Sequence, residues 1–389
     1  MLKIYTMEEE GIIEGDILIQ DGKIVKVGNV EESDDEVIDA SGKFVFPGMV
    51  EAHCHLGMEE SAIGFEGDDV NETTDPITPH MRAIDGCNPL DETITNACKA
   101  GVTAVAAGPG SANVIGGTFV AYKTHGVSMD EMKIKEAIAM KAAFGENPKR
   151  VYREKGKIRT RMNIAALLRE TLIKTKEYMM KKEAANGDIT KMPAYDMKLE
   201  AMIPVLKKEL PLKCHAHRAD DILTVIRIAK EFDIKVTLDH CTDGEIIKKQ
   251  IKESGFPAIV GPSFGHKTKL ELAHKSFKTP AVLQKEGILI AITTDSPVIP
   301  EEYLPLCAAL AMKSGLDEME ALKAITINPA KILGLDDQIG SIKEGKDADL
   351  IICDSSLLDA MNHVDYTIIN GKIAYSGLTQ EETDQPIRI

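Results

Sequence analysis

Histidine and aspartate residues stand at the ends of four apolar, strand-like segments of this sequence. Imidazole nitrogens and carboxylate oxygens are ligands that suit zinc, and manganese, iron or another divalent metal accepts similar donors. A single buried histidine more often satisfies a hydrogen bond of the core, but polar residues that close four different strands favour a metal site. These residues are His53 and His55 after "FVFPGMVEA", His215 and His217 in "LPLKCHAH", His240 in "IKVTLDH", and Asp295 in "ILIAITTD".

A repeated strand-then-helix pattern in the middle of the chain would bring these residues together. Segments such as "GVTAVAAGP" and "GILIAITTD" are nearly continuous apolar runs, typical of parallel strands buried on both faces. Helical patterns such as "ADDILTVIRIAKEF" follow many of them. Counting the strand that ends at His53, eight such units predict an α/β fold, a (β/α)8 TIM-type barrel. The carboxyl ends of its strands share one face, where barrel enzymes build their sites.

The two ends of the chain have a different character. Short alternating segments surround Asp21-Gly22 near the amino end, and a similar pattern surrounds Asn370-Gly371 near the carboxyl end. Both dipeptides are strong signals for a β-hairpin. We therefore expect a small terminal β-sandwich from residues 1–48 and 345–389, and a barrel over residues 49–344. Two long connections, 58–95 and 150–205, are expected to shape the site.

Composition limits the classes of partner. The net charge of −16 and the absence of Trp argue against nucleic acid or an anionic membrane as a main partner. Neither a secretion signal nor an apolar stretch of about 18 residues is present. The seven cysteines include no CxxC pair, which indicates reduced thiols. We therefore expect a cytoplasmic protein that acts on a small-molecule substrate, without nucleic acid or membrane.

The chain resembles the amidohydrolase superfamily of metal-dependent hydrolases, within it the imidazolonepropionase-like and Xaa-Pro-peptidase-like branch. The resemblance implies that the protein binds one or two divalent metal ions, with zinc as the first candidate, and that it forms a homo-oligomer. It makes His53, His55 and His215 metal ligands. His240 becomes a ligand or, with one metal, a hydrogen-bonding group, and Asp295 a ligand that takes a proton from the attacking water. The matching segments are "PGMVEAHCHLG", "KCHAHRADDI", "TLDHCTDG", "AITTDSP" and the tail "AITINPAKILGLDDQIGSIKEGKDADLIICD".

The fourth strand offers two alternatives for a further ligand. The superfamily often supplies a carboxylated lysine or a glutamate there, and "EAIAMKAAFGENP" contains both Lys141 and Glu146. Alternation along the strand places Lys141 on the face opposite the bulky Met140, and therefore toward the barrel axis. A buried lysine is costly unless it is modified or paired. This favours carboxylated Lys141, while Glu146 stays an alternative because it lies beyond the strand.

Three more residues are candidates for contact with the substrate. His217 shares the face of His215, and it either contacts the substrate or supports the site structurally. Arg218 and His125 are basic groups near strand ends, where they would meet an anionic group of the substrate or else lie in solvent. The Gly-rich segment 108–117 lacks the phosphate-loop and dinucleotide motifs. We expect it to form a turn that faces the substrate.

These features predict metal-assisted hydrolysis of an amide, cyclic amide or amidine. A bound metal activates water and polarises a carbonyl. Asp295 would accept the proton, and His240 would hydrogen-bond the developing oxyanion. The alternatives are a metal-retaining but non-catalytic scaffold and a small-molecule sensor. Metal analysis, together with activity against a panel of amides, distinguishes these possibilities.

Overall fold

The computed structural model describes residues 2–30, 37–61 and 64–378. The chain begins with five short strands that lie outside the barrel. Positive φ at Asp21 and Gly22 forms the tight turn between two of them, as the Asp-Gly pair predicts. These strands are β1 (Lys3–Tyr5), β2 (Ile12–Glu14), β3 (Asp16–Gln20), β4 (Lys23–Gly28) and β5 (Phe44–Pro47).

The next eight strands form one sheet in which each strand lies beside its neighbours in the sequence. The Thr293 hydroxyl donates to the His53 carbonyl at 2.7 Å, which ties the end of the last of these strands to the first and helps to close the barrel. The predicted TIM-type barrel is therefore confirmed. The strands are β6 (Met49–Cys54), β7 (Val102–Ala107), β8 (Ile115–Lys123), β9 (Lys133–Ala143), β10 (Leu212–Ala216), β11 (Val236–His240), β12 (Ala258–Val260) and β13 (Ile290–Ile292).

One barrel strand departs from the predicted pattern of parallel strands. β8 runs antiparallel to both β7 and β9, whereas the other neighbouring pairs are parallel. Only residues 108–114 join β7 to β8, and a parallel crossover needs about a dozen residues or more. The short connection thus forces the chain to turn back. As a result, the Ile115 end of β8 lies at the face of the histidines and the Lys123 end lies at the opposite face.

The chain ends in a layer that both termini build. Strands β14 (Leu350–Cys353), β15 (Val364–Ile369) and β16 (Lys372–Ser376) join β5, β1 and β2 in a six-stranded sheet. The β3–β4 hairpin packs against this sheet through a separate apolar cluster, which includes Ile4, Ile24, Val45, Leu350 and Ile368. This arrangement confirms the small sheet layer that the hairpin signals predict.

A buried ion cluster joins the barrel to this layer. Lys123 lies at the end of β8. Its Nζ atom is 3.0 Å from Asp347 Oδ2 and even closer to the Asp349 carboxylate. Asp347 also accepts from the Lys23 ammonium at 2.6 Å and the Gln338 amide at 2.9 Å. The cluster therefore pairs its buried charges completely and fixes the terminal layer to the amino-end face of the barrel.

Helices cover the outside of the barrel. In the longest of those that follow a parallel strand, Ile222, Val225 and Ile226 recur on the buried face with helical spacing. None of the helices in the described ranges is long and apolar enough to cross a membrane. The helices are α1 (Glu92–Lys99), α2 (Met129–Met132), α3 (Glu146–Arg153), α4 (Arg161–Ala185), α5 (Met197–Leu206), α6 (Ala219–Phe232), α7 (Lys248–Ser254), α8 (Thr279–Lys285), α9 (Leu304–Lys313), α10 (Glu318–Lys323) and α11 (Ile327–Leu333).

Candidate metal centre

The histidines and the aspartate at the strand ends converge at the carboxyl-end face of the barrel. β6, β10, β11 and the residues after β13 supply them, and all the histidine side chains among them are buried. Their possible ligand atoms form two groups, within each of which all atoms lie within 4.8 Å of one another. The first group is His215, His217 and His240, and the second is His53, His240 and Asp295.

Backbone carbonyls fix the tautomers of two of the histidines. His55 Nδ1 lies 2.6 Å from the carbonyl oxygen of Gly108, and His240 Nδ1 lies 2.8 Å from that of Gly261. A carbonyl oxygen only accepts, so each Nδ1 carries the proton. Burial lowers the pKa of His240 to about 3, and the ring is therefore neutral at pH 7. Its Nε2 atom is left with a lone pair that points into the cluster.

A buried carboxylate gives His53 the same tautomer. His53 Nδ1 donates to Asp239 Oδ2 at 2.7 Å, and the Thr237 hydroxyl donates to Asp239 Oδ1 at 2.6 Å. Burial opposes the ionisation of Asp239, but Lys213, 3.2 Å away, and His53 outweigh it and hold the pKa of this carboxyl below its usual value. A carboxylate behind the ring is the usual support for a metal-binding histidine.

The interior of the cluster brings several hydrogen-bond acceptors close together. The Nε2 atoms of His53 and His55 lie 3.4 and 3.3 Å from Asp295 Oδ1, so lone pairs face a carboxylate. Within the described chain, His240 Nε2 and Asp295 Oδ1 are buried and have no hydrogen-bond partner. Such an arrangement is unfavourable in a protein interior unless a cation lies among the acceptors. The donor set therefore fits a divalent metal ion.

Unusual backbone conformations hold two of these side chains in place. His240, Cys241 and Asp295 have φ values of +72°, +49° and +55°, in the left-handed region that non-glycine residues rarely adopt. Each such residue costs on the order of 1–3 kcal/mol, and such residues concentrate at functional sites. The turn at His240 also interrupts the alternation of β11, and in this way both Asp239 and His240 reach the cluster.

The structure brings Lys141 to the cluster and leaves Glu146 outside it. Lys141 is fully buried, and its Nζ lies 3.2 Å from His53 Nε2. Burial lowers the pKa of Lys141 to about 8, which gives its amine a larger neutral fraction than an ordinary lysine has. Glu146 begins α3, and its backbone N–H donates to Glu271 Oε2 at 3.0 Å. Glu146 belongs to neither group of ligand atoms.

Another lysine lies beside Lys141 but has a different environment. Lys213 pairs in register with Lys141 across β9 and β10, and both ammonium nitrogens lie close to the ring of Phe119, at 5.3 and 5.6 Å from its centroid. Lys213 has the carboxylate of Asp239 as its counter-ion. Lys141 has no carboxylate within 4.0 Å among the described residues, and its amine faces the histidines instead.

Two of the predicted substrate contacts lie near the cluster. The His217 ring stacks on His240, with centroids 4.8 Å apart, and its Nδ1 lies 2.8 Å from the Thr242 hydroxyl. Arg218 immediately precedes α6 and forms a two-pronged ion pair with Asp220, at 3.0 and 2.9 Å. His217 thus belongs to the cluster, while the guanidinium group of Arg218 is already paired with Asp220.

The structure does not bring His125 to the histidine cluster. It follows β8, whose reversed direction carries this residue to the amino-end face. There it lines a small cavity of about 150 Å³ together with Cys98, in α1, and Tyr375, in β16. The predicted contact between His125 and the substrate therefore fails for this site, because the prediction assumed that β8 runs parallel to its neighbours.

Sequence reasoning missed several supporting residues. Glu51 accepts from the backbone N–H groups of His53 and Thr294, each at 2.9 Å, and so ties β6 to the segment that carries Asp295. Burial raises the pKa of Glu51 to about 7. The alternation that groups His53 with His55 also includes Glu51, and the same alternation in "LKCHAH" includes Lys213. That signal was present in the sequence.

Comparisons with known proteins agree with this geometry. The model of the amidohydrolase family matches residues 44–374. The chain is 29% identical to amidohydrolase tasK of Hapsidospora irregularis over 377 residues, which is 88% of this chain but only 38% of that protein. It is also 27% identical to 5'-deoxyadenosine deaminase of Methanosarcina mazei, covering 95% of this chain and 90% of the relative.

A solved structure is similar along almost the whole chain. It is an amidohydrolase from Thermotoga maritima, 44% identical, with a TM-score of 0.93 and coverage of 96% of this chain and 99% of that one. A Xaa-Pro dipeptidase with bound methionine shares the fold, at 17% identity, 96% and 98% coverage and a TM-score of 0.55. The family model alone spans most of the sequence. This chain therefore belongs to the amidohydrolase family of hydrolytic enzymes.

Proposed function

We propose that this enzyme hydrolyses a C–N bond of an amide, cyclic amide or amidine in a small molecule. The reaction would use divalent metal ions, with zinc as the first candidate. The observation that carries the proposal is that His240 Nε2 and Asp295 Oδ1 are buried without a hydrogen-bond partner in the described chain, while the Nε2 atoms of His53 and His55 lie 3.4 and 3.3 Å from the same carboxylate oxygen. A divalent metal bound there lowers the pKa of a water molecule toward about 7 and polarises the carbonyl group to be attacked.

Two ions per chain account best for the donor set. His53, His55 and Asp295 would hold one ion, and His215 and His240 would hold the other. Carboxylated Lys141 would supply oxygens to both, since its amine faces His53 at 3.2 Å and its lowered pKa enlarges the neutral fraction that reacts with carbon dioxide. Lys213 is less suited to this modification because its Nζ already has a counter-ion, the carboxylate of Asp239 at 3.2 Å.

Asp295 is the proposed proton carrier. Its carboxylate lies beside His53 and His55 at the open end of the barrel, where it can take a proton from the attacking water and deliver it to the leaving nitrogen. His240 is better suited to metal binding than to donating a hydrogen bond, since its only N–H is bound to Gly261. This favours the ligand role over the hydrogen-bonding role that the sequence left open.

Metal-dependent turnover tests this proposal. The protein is stripped with a chelator, reconstituted with zinc, manganese or iron, and assayed against linear amides, ring amides and amidines. We expect hydrolysis of at least one class only after metal is restored. A protein that binds the metal and small molecules tightly without turning any of them over would instead support the sensor or scaffold alternative.

A further inference from the structure

A second group of polar residues borders the cluster beside His215 and His217. It consists of Asn147, at the start of α3, and of Lys269 and Glu271, in the segment between β12 and α8. Lys269 Nζ donates to Asn147 Oδ1 at 2.7 Å. Because an ammonium group only donates, the other end of the Asn147 amide is its nitrogen, which donates to Ser111 Oγ at 2.7 Å and lies 3.5 Å from His215 Nε2. The proposed hydrolysis gives these residues no role.

Glu271 has one oxygen that awaits a donor. The side chain is buried, and its Oε2 accepts the backbone N–H of Glu146 at 3.0 Å. Within the described chain, Oε1 has no hydrogen-bond partner. It lies 3.7 Å from Lys269 Nζ and 3.9 Å from His217 Nε2, and both distances are too long for a hydrogen bond. A buried carboxylate oxygen without a donor is unfavourable unless an occupant of the site supplies one.

The carboxylate is held firmly in this position. Gly145 precedes α3 with a φ of +85°, and a Cβ atom on it would lie 2.8 Å from Glu271 Oε2 and 3.0 Å from Asp221 Oδ2. Asp221 is neutralised by Arg161, with Nε 3.0 Å from both of its oxygens. Glu271 therefore faces the cluster as a fixed acceptor, with Lys269 beside it as a fixed donor.

We propose that Lys269 and Glu271 bind the edge of a cis-amide group that adjoins the scissile bond, and that the substrate is therefore a ring imide or ring ureide. This inference rests on the proposed hydrolytic function. Ring closure holds C=O and N–H on the same side, so the carbonyl accepts from Lys269 while the N–H donates to Glu271 Oε1. An open-chain secondary amide is trans and presents the two groups on opposite sides, so it satisfies only one of them.

The position of this pair suits a ring with two adjacent amide groups. Glu271 Oε1 is 3.9 Å from His217, whose ring stacks directly on His240. One amide group of such a ring would face the metal-binding histidines while its neighbour faces Lys269 and Glu271. The pair thus selects the substrate and orients the scissile bond without taking part in the chemistry.

Ligand-observed NMR titration of the zinc-loaded protein tests this assignment. The probes are 5,6-dihydrouracil, its 1,3-dimethyl derivative, which keeps both carbonyls but has no N–H, and N-acetylglycine, an open-chain amide with a carboxylate. We expect 5,6-dihydrouracil to bind about tenfold or more tightly than either of the others, the factor for one hydrogen bond to a charged group.

Variants of Lys269 and Glu271 test whether these two residues cause the preference for 5,6-dihydrouracil. Glu271→Gln keeps an oxygen for the Glu146 N–H but places an amide donor at the Oε1 position, so we expect the preference to disappear without a change in melting temperature. Lys269→Met should weaken binding of 5,6-dihydrouracil about tenfold. Lys267→Met is the matched control in the same segment, because Lys267 donates to the Ala273 carbonyl instead, and it should bind like the parent.

Three binding results would overturn the inference, and so would one result on activity. The first is equal binding of 5,6-dihydrouracil and its dimethyl derivative, and the second is no binding of 5,6-dihydrouracil to the parent protein. The third is preferred binding of N-acetylglycine that depends on Lys269 alone, which would make this lysine a carboxylate clamp. Metal-dependent hydrolysis of an open-chain amide by the same preparation would retain the proposed function while overturning this assignment.

Discussion

The two faces of the barrel treat buried charge in opposite ways. At the amino-end face, Lys123 is buried between the carboxylates of Asp347 and Asp349, and each charge has its counter-ion. At the carboxyl-end face, His240 Nε2 and Asp295 Oδ1 are also buried, but no residue of the described chain donates to them. Complete pairing is typical of a structural cluster, whereas buried acceptors left without donors indicate a site that a ligand completes.

Replacing Asp295 should have the largest effect on activity. In Asp295→Asn, the amide oxygen cannot take the proton from the attacking water, so we expect turnover to fall by about a hundredfold to ten-thousandfold. Urea unfolding of the metal-stripped variant should show no loss of stability relative to the metal-stripped parent, because without a metal ion this carboxylate faces the acceptor nitrogens of His53 and His55. A variant that retains the parental rate would remove Asp295 from the chemistry.

Replacing Lys123 should have the opposite effect, because it should lower the stability of the fold rather than the turnover of the site. Lys123→Met leaves Asp347 and Asp349 buried together without their shared counter-ion, and breaking a buried pair in this way lowers the free energy of unfolding by about 3–5 kcal/mol. Lys23→Met is the control: Lys23 also pairs with Asp347 but is half-exposed, so it should cost about 0–1 kcal/mol. Equal losses from the two variants would contradict the structural role of the buried cluster.

The carboxylate behind His53 should affect metal binding as well as folding, because it is also the counter-ion of the buried Lys213. In Asp239→Asn, the side chain can no longer hold His53 Nδ1 as a charged acceptor, and we expect metal affinity to fall about tenfold to a hundredfold. Competition with a chromophoric chelator measures this change. If affinity is unchanged while the melting temperature falls, Asp239 belongs with the structural charges of the opposite face.

The smallest effect should come from Glu146. Glu146→Gln keeps the backbone N–H that donates to Glu271, so metal content should stay at the parental value. Lys141→Met should lose the ion or ions that its carboxylated form binds, and the intact mass of the parent should include one added carbon dioxide. Metal loss in the Glu146 variant alone would reverse the assignment of the fourth-strand ligand.

Most residues of the site could be predicted from the alternation of side chains along the strands and from the positions where the strands end. His53, His55, His215, His240 and Asp295 converge because parallel strands present their carboxyl ends at one face, and this follows from apolar runs and turns alone. Lys141 faces inward for the same reason. These inferences depend only on local periodicity, which the sequence states directly.

The residues that were misplaced or missed depend on features that the periodicity of the sequence does not encode. His125 was misplaced because the direction of β8 depends on the length of the connection that precedes it. Asp239 was missed because the left-handed conformation of His240 breaks the alternation of β11. Lys269 and Glu271 lie in an irregular segment after β12, and only the folded chain shows that they border the histidines.

Calorimetric titration of the metal-stripped protein with zinc most directly tests whether the unpartnered acceptors form a metal site. We expect two ions to bind per chain, at least one of them lost in His240→Ala, while Lys123→Met keeps the parental stoichiometry as long as it is folded. A stripped protein that is folded and binds no zinc, or a His240→Ala variant that still binds both ions, would contradict that assignment.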